Sequence, residues 1–166
     1  MMRNYMEDEK KFQFINVALN VLFYVEVIGC IMFPILWCTF DFSFKFTQAN
    51  IIMTILFFIA FINCIIITNE IIKMNKTLIE KNPFVINNVK SMRNIALNIF
   101  LIGLYIFIKD RLKFGHQVFF AFHSDQYGPY CDMDFLIFII MSIFMIILAE
   151  MFNQSIKIKQ DHDLTI

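Results

Sequence analysis

With 166 residues, 59% of them apolar, 22 phenylalanines and only 17% charged, the chain carries more apolar surface than a soluble domain of its length can bury, and the excess calls for lipid. Formal net charge is zero, 14 Lys plus Arg against 14 Asp plus Glu, so no global basic field draws nucleic acid or acidic substrates, and direct nucleic-acid binding is set aside. The four cysteines show no C-x-x-C or Cys/His ligand spacing, which argues against a disulfide framework; only a Cys38 to Cys131 bridge stays open, both lying toward one side.

The first apolar run extends from Phe14 to Trp37. It follows an acidic Glu7-Asp8-Glu9, is longer than a signal core and lacks a small-residue cleavage pattern, so it is read as a retained span. Glu26 stands twelve residues in, about 18 Å along the helix and near mid-bilayer, where an ionisable group is costly. Two readings are open: a proton-linked or ligand-binding carboxylate, or a protonated carboxyl that hydrogen-bonds between helices and stabilises them. Pro34, with Gly29 a little over one turn earlier, suggests a kink near the outer end, and Trp37 suits an interfacial belt.

The second run, Ile51 to about Ile72, lacks the polar stripe of a soluble core helix. The third, Ile95 to Ile108, covers only about 21 Å as helix and needs extension, through Met92 and the snorkelling Arg93 at one end and past Lys109 to Phe114 at the other. The fourth runs from Phe135 to Phe152. The expected fold is therefore an all-α membrane protein, one domain of four transmembrane helices over about 14–37, 51–72, 92–114 and 135–152, joined by a connection 73–94 and a loop 115–134 and ending in a tail 153–166.

Lys and Arg number three in the amino-terminal tail, five in the central connection and two in the carboxyl tail, against one in the first loop and three in the last. This ten-to-four split predicts a multi-pass protein with both termini in the cytoplasm. The last outer loop holds His116, His123, Asp125, Cys131 and Asp132, all of metal-binding type but in no established ligand spacing, so no metal or other cofactor is expected. Its Phe119, Phe120, Phe122, Tyr127 and Tyr130 suggest a loop lying partly on the membrane surface. Alternating helix directions put Asn16, Asn20, Asn63, Asn98 and Glu150 in the cytoplasmic half, where a polar layer with a member from every helix would fix register.

In the central connection, Asn82 is suited to cap a helix that Pro83 opens, with Val85, Val89, Met92 and Ala96 on one face, so a short cytoplasmic amphipathic helix is expected before the third span. The stretch Asn82-Pro83-Phe84-Val85, then Asn88-Val89-Lys90, then Arg93, resembles the pattern of the bacterial membrane-protein family catalogued as domain of unknown function 2975. Leu148-Ala149-Glu150-Met151-Phe152 and the terminal Asp163-Leu164-Thr165-Ile166 are similar to that family's ending. Val85 stands where the family usually has threonine, and Ser91 where a basic residue is common. The resemblance implies a four-helix plasma-membrane protein with no assigned enzymatic activity, and a small cytoplasmic helix-turn-helix regulator as partner.

Two functions follow as expectations. One is a regulatory membrane partner that docks a soluble protein on the 73–94 and 154–166 segments. The other is a small transporter or ligand sensor built on Glu26 and the asparagines, for which oligomerisation could supply a pore; no inverted repeat or interrupted helix pair supports it. An enzyme is not expected, since no Ser/His/Asp set, no H-E-x-x-H and no glycine-rich phosphate loop is present.

Overall fold

Long apolar runs with few internal breakers favour helix, and a bilayer enforces it because every backbone polar group must pair within its own segment. The computed structural model describes residues 2–39, 48–114, 122–125, 128–131 and 134–163. Four helices dominate: α1 (Met2–Thr39), α2 (Gln48–Ile79), α3 (Ile86–Phe114) and α4 (Asp134–Asp163). At 1.5 Å per residue they measure about 57, 48, 44 and 45 Å, longer than the ~30 Å hydrocarbon core. All four are long and apolar enough to cross a membrane. The weakest span in the sequence thus becomes one continuous helix that reaches Phe114. α1 stays a single helix through Gly29 and Pro34.

Between α3 and α4 lies a small antiparallel hairpin, β1 (Phe122–Asp125) and β2 (Gly128–Cys131), in the register Phe122 to Cys131 and Asp125 to Gly128. The all-α expectation had no place for it. His123, Asp125 and Cys131 fall on these strands, whereas His116 and Asp132 lie outside the described residues. Any pairing of Cys131 with Cys38 also lies outside what is described, while Cys30 and Cys64 are free thiols.

The helices form an open row. α1 packs on α2, α2 on α3 and α3 on α4, and no other pair of helices brings Cα atoms within 8 Å among the described residues. Consecutive helices alternate in direction, so the beginning of α1 and the end of α4 share one side, called here the terminal side, with the α2–α3 connection. The outer faces of α1 (Phe14, Val17, Val21, Ile28, Ile31) and α4 (Ile137, Ile140, Ile147, Met151) stay exposed, which suits surfaces meeting lipid. Gly103 lets α3 and α4 approach closely, since a Cβ there would stand 2.8 Å from that of Phe138.

The best-buried apolar cluster sits at the terminal side and not at mid-span. Val89 and Met92 of α3 pack with Ala149 and Ile156 of α4, and Met74 of α2, Met145, Leu148 and Phe152 close around them.

The expected short amphipathic helix is not there. Asn82 to Val85 are non-helical, and the amphipathic turns are the beginning of α3 itself. The reason lies in how α2 ends. Lys81 takes a left-handed φ of 58°, the Asn82 amide donates to the Thr77 carbonyl (2.9 Å) and the Lys81 amide to the Leu78 carbonyl (3.1 Å), which is a Schellman stop. Pro83 cannot then open a helix, because its carbonyl accepts from the Val85 amide (3.0 Å) and from the Asn88 side chain (2.7 Å).

Candidate functional site

Two regions gather polar side chains. The first is the joint of α2, α3 and α4 on the terminal side. Asn88, 3% exposed, donates both amide protons, one to Thr77 Oγ1 at 2.6 Å and one to the Pro83 carbonyl, so one side chain fastens the end of α2, the connection and the start of α3. Two turns deeper, the largely buried Glu70 carboxylate of α2 accepts from Ser91 Oγ at 2.6 Å and Lys73 Nζ at 2.7 Å. Phe84 stacks on Phe152 of α4 with ring centroids 5.8 Å apart, and Arg93 reaches Glu150 at 3.2 Å on the surface. Deeper still, Ser142 of α4 donates to the Ala96 carbonyl of α3 at 2.8 Å. An exposed groove of about 450 Å³ opens beside this joint, lined by Phe84, Ser155, Ile158, Lys159 and His162.

The second region is the α1–α2 seam. Thr68 Oγ1 donates to Glu26 Oε1 at 3.0 Å, and Glu26 Oε2 is buried without a hydrogen-bond partner. Toward the terminal side, Asn20 donates to the Asn16 carbonyl at 2.6 Å, Asn16 Oδ1 is buried and unpartnered, and Asn75 donates to the Phe12 carbonyl at 3.2 Å. Asn63, 5% exposed, has an unpartnered Nδ2.

The predicted polar residues therefore divide. Asn16, Asn20 and Glu26 line the seam with α2, which carries Asn63. Asn98 is buried and donates to its own Asn94 carbonyl at 2.7 Å, while Glu150 is exposed and tied to Arg93 and to Asn153 at 3.4 Å. A single layer with a member from every helix does not form, because in an open row α1 never meets α3 or α4. Of the family-motif residues, Asn82, Pro83, Phe84, Asn88 and Arg93 all serve the joint, and Lys90 is exposed. Asp163 ends α4, and Leu164, Thr165 and Ile166 lie outside the described residues.

Glu70, Asn75 and Thr77 were not expected at a site from the sequence, and Ser91 stood out only as a departure from the family pattern. For Glu70 a signal was present: a carboxylate three residues before Lys73 at the end of an apolar run, a spacing that pairs charges on one helix face.

These features define a multi-span helical membrane protein whose helices are locked at one end by a buried polar joint. The model of the family described as protein of unknown function (DUF2975) matches residues 42–166, and the chain belongs to that family. The match takes in α2, the hairpin, α3 and α4, and begins after α1. Comparisons with curated proteins and with solved structures find no match.

Proposed function

We propose that this protein is a membrane-embedded, non-enzymatic docking partner that presents its terminal side to the cytoplasm and there holds a small soluble regulator of helix-turn-helix type. The observation that carries the reading is the groove beside the joint. Phe84 (44% exposed) and Ile158 (69% exposed) are large apolar side chains, and Ile158 stands about 9 Å past Phe152, where the apolar run ends, with Lys157 and Lys159 as neighbours. Apolar surface held on a rigid frame beyond the lipid, beside cations, suits an amphipathic helix with an acidic flank. The ten-to-four charge split supports the cytoplasmic orientation, and a bacterial plasma membrane follows from the resemblance.

The test is a photo-crosslinking residue at position 158 in native membranes. A soluble DNA-binding protein in the adduct is the expected product, and Lys159→Glu should reduce its yield. Adducts to lipid or to a second copy alone would overturn the reading.

A second reading, a small ligand sensor or transporter using an intramembrane carboxylate, is favoured by one observation: the buried, unpartnered Glu26 Oε2.

A further inference from the structure

The α1–α2 seam changes character along its length. From the terminal side inward it offers the Phe12 carbonyl with Asn75, then Asn16, then Asn20, then Glu26 with Thr68, a polar series covering about 21 Å of α1. On the far side of Glu26 the seam is aromatic. Phe61 closes over Gly29, where a Cβ would stand 3.3 Å from the ring tip. Phe33 packs on Phe57 with centroids 4.7 Å apart and on Phe58 at 6.1 Å, and Phe57 lies 6.0 Å from Phe61.

We propose that Glu26 is a one-sided proton site, in exchange with water on the terminal side through the Asn16–Asn20 series and sealed from the hairpin side by the phenylalanine plug. The inference deepens the second reading above, making the site a sensor and not a conduit, and it stands apart from the docking reading. Three buried polar atoms in these two helices want partners: Asn16 Oδ1, Glu26 Oε2 and Asn63 Nδ2. The first two lie in the polar series, where water-borne protons would have to travel, whereas Asn63 lies on α2 between Phe61 and Thr68. The step is a simple exchange: a hydronium ion gives its proton to the carboxylate, leaving a neutral carboxylic acid and water. Protonation removes a mid-bilayer charge and turns the acceptor-only carboxylate into a hydroxyl donor, which alters the Thr68 contact that holds α1 to α2.

Few other groups compete. α1 meets only α2 among the described helices; Cys30 of α1 and Cys64 of α2 are free thiols, and Lys11 and Lys76 adjoin the Phe12–Asn75 contact at the terminal mouth. Glu70 is engaged by Lys73 and by Ser91 of α3, and Tyr24 is on the exposed face of α1.

The experiment uses the full chain reconstituted in sealed vesicles of both orientations, with infrared difference spectra of the carboxylic C=O stretch after a pH step on one side. A band that appears on acidifying the terminal side alone, and is lost in Glu26→Gln, is the expected result. Asn20→Leu should slow its appearance about tenfold, as removal of one polar step raises the barrier. Should Glu26→Gln fail to fold, Glu26→Asp assigns the band instead, since a carboxyl there shifts the C=O stretch and does not abolish it. A Glu26-dependent band that answers to both sides, or to the hairpin side, overturns the one-sided site while sparing the carboxylate reading. Absence of any Glu26-dependent band across the accessible pH range overturns both.

Discussion

Replacing Asn88 with alanine tests whether the joint holds the helices together. The side chain makes two interactions that no neighbouring group can replace, at 2.6 Å to Thr77 Oγ1 and 2.7 Å to the Pro83 carbonyl. At about 1 kcal/mol net for each buried hydrogen bond, plus a small cavity beside Val89, the loss comes to roughly 2–3 kcal/mol. Asn88→Asp should do comparable harm, because the isosteric carboxylate faces two oxygens and has no proton to offer either. Reversible unfolding in mixed micelles, followed by helix ellipticity against denaturant fraction, gives the free-energy difference. A loss below about 0.5 kcal/mol for both variants would refute the claim that this amide fastens α2, the connection and α3, since it is smaller than one such bond.

Other perturbations have defined directions. Gly103→Val should destabilise the α3–α4 contact by about 1–3 kcal/mol, because its Cβ meets that of Phe138 at 2.8 Å with the Phe135 carbonyl at 3.5 Å, and the same denaturation assay reads it. Lys81→Gly relieves the left-handed strain at φ 58° and should leave stability unchanged or raise it by up to about 1 kcal/mol, whereas Lys81→Val should lower it. Glu26→Gln keeps an oxygen for Thr68 and should fold within about 0.6 kcal/mol of wild type, whereas Glu26→Leu strands the buried Thr68 hydroxyl and should cost about 1 kcal/mol or more.

Much of the architecture is legible in the sequence because lipid imposes it. Runs of apolar residues without a polar stripe can only be spans, and the third span's shortfall pointed to the extension to Phe114 that α3 makes. What counting cannot supply is which helix faces which. Depth placed five polar residues in one half of the membrane, yet the open row keeps Asn16 and Asn20 away from Asn98 and Glu150. The start of α3 was misplaced for a different reason. Asn82-Pro83 is a sound helix-opening signal, but a left-handed Lys81 and the reach of Asn88 back to the Pro83 carbonyl turn the same residues into a reversal. Glu70 was overlooked because its partner Ser91 lies beyond the turn, where helix periodicity gives no warning of the contact.

The central claim is that the chain crosses the membrane as an alternating row, with the α2–α3–α4 joint on the opposite side from the hairpin, and labelling by an impermeant maleimide tests it most directly. Lys90 is exposed at the joint, and Cys131 ends the second hairpin strand. In intact cells native Cys131 should be labelled, Lys90→Cys as the single cysteine of a chain whose Cys30, Cys38, Cys64 and Cys131 are replaced by serine should be protected, and permeabilisation should expose the latter. Labelling of both positions from the same side would contradict the account.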